Sequence, residues 1–253
     1  MTHLAPFATE RALAPVIPIP SLDTAAAILS VAAALQPDLA QGFQIDALRL
    51  RLEMERAFGG SDATGAWDWK LAYEAGEVAL ILFLRKFGRA LLARAGSPAA
   101  LLPILVKVAG LLPTHTRRSE EMERFQQFST PLPMGLAALA AAHTTPRDLV
   151  LEPSAGTGLL AILAEIAGGS LALNELADTR ADLLRLLFPG CPVTRFDAAQ
   201  IDDHLDAGVR PSVILMNPPF SAMANVDGRT TEATARHLRS ALARLAPGGR
   251  LVA

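Results

Sequence analysis

Cysteine is nearly missing from this chain: Cys191 is the single one in 253 residues. No disulfide can form within the chain, and no Cys-rich metal site can be assembled. Cys191 lies between Gly190 and Pro192, which reads as a turn with a structural or incidental thiol. The five histidines (His3, His115, His143, His204, His237) show no paired metal-ligand spacing and read as surface or turn residues. Aromatic residues make up only 5%, and neither charge predominates, with 23 Lys plus Arg against 25 Asp plus Glu. That balance excludes the profile of a dedicated nucleic-acid-binding domain, so any phosphate contact must come from a local patch or another segment. Arg229, Arg236, Arg239, Arg244 and Arg250 could form such a patch, although a solvated helix face is the slightly favoured account of the spacing. Long hydrophobic runs are missing too. The longest, Val78 to Leu84, stops at Arg85-Lys86 and is far too short to span a bilayer. No basic segment followed by an apolar core opens the chain, so a signal peptide is not expected and a cytoplasmic location is the default.

What the chain has is apolar residues, 51% of the total, enough for one large core or two small ones. Its most informative segment is Asn217-Pro218-Pro219-Phe220. The apolar run before it, Ser212 to Met216, reads as a buried parallel strand. Two adjacent prolines cannot donate to a sheet ladder, so the strand must end there. The carboxyl end of a strand is where open α/β sheets hold ligands. An amide oxygen and a proline carbonyl can accept hydrogen bonds from a planar amino group, and a phenyl ring can stack on the plane that carries it. These residues suit chemistry on an exocyclic nitrogen.

Three upstream segments extend the pattern. Leu149 to Leu151 is a short apolar run that ends at Glu152, followed by Pro153-Ser154-Ala155-Gly156-Thr157-Gly158 and a helix-like stretch from Leu159 to Ala167. Gly156 and Gly158 permit positive φ and close backbone approach, and a helix N-terminus there offers free amides. The third glycine of the dinucleotide fingerprint is lacking, and an ordinary strand-to-helix turn would look similar. Ser170 to Glu175 reads as a second strand, its acid roughly 20 residues beyond the turn, where a carboxylate can bind a ribose diol. Val193 to Asp197 reads as a third strand, again ending in an acid. Either acid taken singly could be a surface group or a helix N-cap.

Together these segments resemble the S-adenosylmethionine-dependent amino-methyltransferases, above all the N6-adenine DNA methyltransferases. Glu152 to Gly158 is similar to their first cofactor motif, and Asn217 to Phe220 to their catalytic motif. Gln127-Phe128-Ser129-Thr130-Pro131 resembles the Phe-x-Thr-Pro element that precedes the first strand. With its helical N-terminal region, the whole is also similar to the methyltransferase region of bacterial Strawberry-notch-like helicase proteins. The resemblance implies a class I, Rossmann-like α/β methyltransferase sheet and S-adenosylmethionine as cofactor. It implies Phe128 and Thr130 at the methionine end, and Glu152, Ala155, Gly156 and Gly158 around the amino-acid portion and sulfonium. It further implies Glu175 on the ribose, Asp197 on the adenine amino group, and Asn217, Pro218, Pro219 and Phe220 as catalytic residues. DNA is the implied partner ahead of RNA, with a helicase or target-recognition domain outside this chain and no membrane. The same tetrapeptide serves N-methylation of RNA or of a protein glutamine, and a non-catalytic cofactor-binding module attached to a helicase is a further alternative.

Along the chain, residues 1–20 form a Pro-rich arm, 21–116 an α-helical domain and 117–253 the methyltransferase domain. Helices are expected from Ser21 or Asp23 through Leu35, over Phe43 to Phe58, within Trp67 to Ala95 as one or two, and over Ser97 to Leu111. Trp67, Trp69 and Tyr73 gather rare aromatics at a helix start, a packing cluster in preference to a stacking platform. Arg117-Arg118 is a charged link. Pro247-Gly248-Gly249 turns into a fifth strand just before Ala253, so the sheet is expected to be incomplete at the C-terminus.

Overall fold

The computed structural model describes residues 21–113, 129–218 and 230–253. The chain builds a five-stranded parallel sheet behind a helical N-terminal region. That region starts with α1, Ser21–Gln41. Its buried positions Ala25, Ile28, Ala32, Leu35 and Leu39 recur at three and four residues, a single helical stripe. The stripe continues past Leu35, and so does the helix. Pro37 lies on the exposed side, where the lost backbone hydrogen bond faces solvent.

Helix α2, Ala47–Phe58, begins later than Phe43 because the Asp46 side chain caps it, accepting from the Arg49 amide at 2.7 Å. Ile45 is instead tied to the far end of the region through Leu111 O at 2.8 Å. Helix α3, Trp69–Ala95, is one continuous helix of 27 residues capped by Asp68. Its first half is buried on nearly every side, from Ala72 to Ile81, as befits a central helix. Trp67 and Trp69 pack edge to face at 5.6 Å, and Trp67 is buried with its indole N–H on Gly60 O. The aromatic cluster is therefore part of the core. Helix α4, Pro98–Ala109, starts at the Ser97 cap.

Helix α5, Leu132–Ala142, leads into the sheet. There follow β1 (Leu149–Glu152), α6 (Leu159–Ile166), β2 (Ser170–Asn174), α7 (Asp178–Leu187) and β3 (Val193–Thr194). Then come a short 3-10 turn (Ala198–Gln200), α8 (Ile201–His204), β4 (Val213–Leu215), α9 (Thr230–Arg244) and β5 (Arg250–Val252). The strand order is β3-β2-β1-β4-β5, all parallel, with Leu149 opposite Ser170 and Ile214 opposite Leu251. The direction of winding reverses between β1 and β4, which opens a crevice at their carboxyl ends.

Successive strand residues alternate between the two faces. Val150, Leu173, Val213 and Leu215 join a cluster that also contains the buried residues of α1, α3, α5, α6 and α7. Leu151, Ala172 and Ile214 pack on the other face with Ile201 of α8, Leu205 just after it and Ala241 of α9. The N-terminal helices thus share one apolar core with the first helix layer of the sheet. Their approach is close: a Cβ on Gly88 of α3 would stand 2.4 Å from Ile166 Cδ1.

The opposite, amino end of the sheet is fastened by Asp148. One carboxylate oxygen accepts from Ser212 Oγ at 2.7 Å and Arg250 at 2.6 Å, the other from the Thr145 amide and hydroxyl at 2.8 Å. Burial pushes this carboxyl up, but the Ser212 and Thr145 hydroxyls, the Thr145 amide and the Arg250 guanidinium outweigh it and hold Asp148 below the usual carboxylate range. A depressed pKa adds stability above the unfolded-state value, and that stability is lost as pH falls through the folded value. Asp148→Asn is therefore expected to cost about 1–3 kcal/mol at neutral pH. It should also flatten the loss of stability on acidification below about pH 4, measured by urea unfolding across pH.

Candidate active site

Most of the described residues that suggested a ligand cleft stand at the carboxyl edge of this sheet. After β1, Pro153 and Ser154 turn the chain and the Ala155 amide donates to Asn174 O at 2.9 Å. Gly156 and Gly158 both take positive φ, 57° and 99°. Gly158 is also sterically required, since a Cβ there would meet the Phe188 ring at 2.7 Å.

Asn174, at the end of β2 and fully buried, sets the spacing of three strand ends. Its amide nitrogen donates to Pro153 O and Phe196 O, each at 2.9 Å. Its amide oxygen accepts from Thr194 Oγ1 and the Phe196 amide, each at 2.8 Å. All four hydrogen-bonding places of the amide are filled. Nothing in the strand pattern singled out this residue.

A small cavity of about 30 Å³ opens beside the glycine turn. Thr130, Glu152, Ala155, Gly156 and Asn217 line it, joined by Ser154, Thr157 and Arg180. The structure therefore brings five of the expected residues together. Gly158 caps α6 immediately behind them. Glu175 is buried next to the cavity and binds backbone: Oε2 accepts from the Gly156 amide at 2.8 Å and Oε1 from the Ala177 amide at 2.9 Å. Asp197 stands away from the cavity, exposed, three residues beyond β3, where Oδ1 caps the 3-10 turn through the Ala199 amide. Pro218 is buried directly after Asn217. Phe128, Pro219 and Phe220 lie outside the described residues, as do Arg117, Arg118 and Arg229.

Glu152 is the least compensated group of the cleft. It is buried, one carboxylate oxygen accepts no hydrogen bond, and among the described residues its polar support is the Ala161 amide at the start of α6. Burial, reinforced by the neighbouring Glu175 carboxylate, pushes its pKa well above the usual range. An orphaned acceptor beside a glycine turn suits a cationic group, such as the ammonium of an amino-acid ligand.

Sequence reasoning missed the acids that α3 sends to this site. Glu77 Oε2 accepts from Thr157 Oγ1 at 2.7 Å, wholly buried, and so grips the glycine turn. Glu74 Oε1 accepts from Arg180 Nε at 2.6 Å. The signal was Lys70, Glu74 and Glu77 in the first turns of a helix otherwise buried by apolar residues.

Other expected features resolve differently. Arg244 is buried and donates to the carbonyls of Asp206 and Val209, and Arg250 is engaged by Asp148. Of the proposed basic patch, Arg236 and Arg239 are exposed. His237 is half-buried on α9, and burial lowers its pKa. A larger cavity of about 570 Å³ lies at the amino end of β2 and holds none of the candidate residues. Cys191 borders it; burial pushes the thiol up to about 11, which leaves it protonated and unreactive at neutral pH. Among the described residues no group of acids, histidines or cysteine could hold a metal ion, and no helix is long and apolar enough to cross a membrane.

No protein-family model matches the chain, and no curated protein matches it in sequence. Several solved structures are similar to it. TrmN from Thermus thermophilus is 22% identical with a TM-score of 0.40, over 60% of this chain and 54% of that one. A Pyrococcus horikoshii protein described as an RNA methyltransferase is 21% identical with a TM-score of 0.43, over 58% of this chain and 69% of that one. CalS10, an amino pentose methyltransferase from Micromonospora echinaspora solved with S-adenosylmethionine, is 18% identical with a TM-score of 0.36, over 55% and 56%. This chain thus spans little more than half of the TrmN chain. At these identities the likeness concerns the arrangement of sheet and helices, and function has to be argued from the residues of this chain.

The elevated pKa of Glu152 has a measurable consequence. A raised folded-state value contributes stability below the unfolded pKa, and that stability is lost as pH rises toward the folded value. Glu152→Gln is therefore expected to raise the melting temperature of the ligand-free protein. Its advantage over wild type should grow as pH rises above the ordinary glutamate value of about 4.3. Thermal unfolding at a series of pH values checks this, and a constant difference would contradict it.

Proposed function

We propose that this chain binds S-adenosylmethionine at the β1/β4 switch point and transfers its methyl group to an exocyclic amino group. Adenine N6 in DNA is the target the motif set suits best. The observation that carries this reading is the meeting of the half-orphaned Glu152 carboxylate and the Asn217 amide on one cavity beside the glycine turn. When bound, the cofactor supplies a methyl group already activated on a sulfonium, so the protein has chiefly to position the reactants.

Glu152 binds the amino-acid ammonium, with Thr130 and Phe128 at the same end. Ala155, Gly156 and Gly158 let the backbone run close beneath the ligand. Glu175 reaches the ribose hydroxyls: each carboxylate oxygen has a second acceptor place beyond its bond to Gly156 or Ala177. Asp197 has an oxygen to offer an adenine amino group beside its bond to Ala199. The cavity is small, so a ligand of cofactor size extends from it along the ends of β2 and β3.

At the target side, the Asn217 side-chain oxygen and the Pro218 carbonyl accept hydrogen bonds from the amino group. Two fixed acceptors favour a more tetrahedral nitrogen and restore the lone pair that the ring otherwise delocalises. In this reading Pro219 completes the motif, and Phe220 is the residue assigned to stack on the base. A paired base is out of reach, so the target is flipped or already single-stranded. DNA is the partner ahead of RNA, and a helicase or target-recognition segment outside this chain supplies the phosphate contacts that a net charge of −2 does not.

Asn217→Ala separates binding from chemistry. It is expected to lower methyl transfer by about 100-fold or more, the scale of one lost polar contact to a reacting group, while calorimetric affinity for the cofactor changes little. Labelled-methyl transfer is read on single-stranded and duplex DNA, RNA and protein. Undiminished turnover in the variant would overturn the assignment, and transfer only to RNA or protein would move the target.

A further inference from the structure

The reading above leaves Arg180 unused, although it lines the same cavity as Glu152 and Asn217. Arg180 sits in the first turn of α7 and is only 7% exposed. Glu74 of α3, 106 positions upstream, takes its Nε at 2.6 Å, and Lys70 stands 3.9 Å from the same carboxylate. Among the described residues the guanidinium makes no other hydrogen bond, so the remaining N–H groups of its fork are left for whatever enters the cavity. Glu74 keeps one buried oxygen without a partner, so the pair is not closed on itself.

A guanidinium this deep would be strongly disfavoured alone. Burial opposes its charge, but Glu74, Glu175 and Glu77 around it outweigh that effect and keep Arg180 protonated. The cavity therefore presents a fixed cation from α7 and an uncompensated acid from β1. An amino-acid headgroup carries the complementary pair, a carboxylate and an ammonium.

We propose that Arg180, steadied by Glu74 of the N-terminal helical region, is the subsite for the carboxylate of the ligand whose ammonium meets Glu152. This rests on the S-adenosylmethionine reading. It makes α3 part of the ligand site: Glu74 aims the fork, and Glu77 holds the turn through Thr157. The arrangement selects a ligand with an intact amino-acid end over the same nucleoside sulfonium without its carboxylate.

The test is calorimetric binding of S-adenosylmethionine and of decarboxylated S-adenosylmethionine to the full chain. Wild type is expected to favour the carboxylate-bearing ligand by about tenfold or more, as for charge-assisted bidentate hydrogen bonds. The double variant Arg180→Met with Glu74→Gln removes both charges and leaves neither buried alone. Its ratio of affinities should fall to about one, through loss of S-adenosylmethionine affinity only. Arg180→Lys keeps the charge without the fork and should give an intermediate ratio, and it serves if the double variant fails to fold. A merely structural role would weaken both ligands alike. A folded variant with the wild-type ratio, or a wild type that binds both ligands equally, overturns the subsite and leaves the cofactor reading standing. A folded wild type that binds neither ligand overturns both.

Discussion

The cleft depends first on the side chain of Asn174. Parallel strands diverge beyond their last ladder hydrogen bond, and the backbone groups exposed there must find partners or water. Asn174 supplies four partners at once, joining the turn after β1 to the end of β3 across its own strand. An aspartate would lose two donors, and a longer amide would not fit the same carbonyls. With the strand ends held at this spacing, the Gly156 amide meets Glu175, and the glycine turn is closed on both sides. Asn174 touches no reacting group in the proposed chemistry, yet the positions of Glu152, Gly156 and Glu175 follow from it.

A second constraint comes from outside the sheet. A glycine turn pays for close ligand approach with backbone freedom, so something must hold it. Here the hold is a buried hydroxyl-to-carboxylate hydrogen bond from Thr157 to Glu77, supplied by the central helix of the N-terminal region. The close crossing of α3 over α6 at Gly88 and the Arg85–Glu165 pair at 3.4 Å fix that helix against the sheet layer. The apolar core runs without interruption from α1 and α3 into α6 and α7. The helical region thus contributes packing and two of the acids around the site.

The strand ends were legible because each is marked twice. A short apolar run stops at a glycine, an acid or a pair of prolines, and parallel topology then places all stops on one edge. Helix starts were legible where a capping side chain is local, as at Asp68 and Ser97. The boundary errors have local causes. Pro37 faces solvent and does not end its helix, Asp46 caps where Phe43 was expected to begin one, and β3 is cut to two residues because Asn174 takes over the hydrogen bonds beyond it. The charges of Glu74 and Glu77 stand out in an apolar helix, but their pairings with Thr157 and Arg180 were not legible, since these span 80 to 106 positions. In a helix pattern a buried acid looks like an exposed one.

The same distance explains why the buried charges are divided between elements. Glu152 lies on β1 and Arg180 on α7; the partner of Arg180 comes from a distant stretch of the sequence, and among the described residues Glu152 has no charged partner of opposite sign. Glu152 could have been paired within the fold, as Asp148 is at the opposite edge of the sheet, where four donors keep its pKa low. The contrast between two acids at the two ends of one strand is physical: one is saturated and fastens three strands, the other is desolvated, crowded by Glu175 and left with an open oxygen. A fold under selection for stability alone has no reason to keep the second arrangement, because a glutamine or an apolar residue would relieve it. Strain of this kind at a crevice on the carboxyl edge of a sheet is what a binding site retains when the missing partner arrives with the ligand.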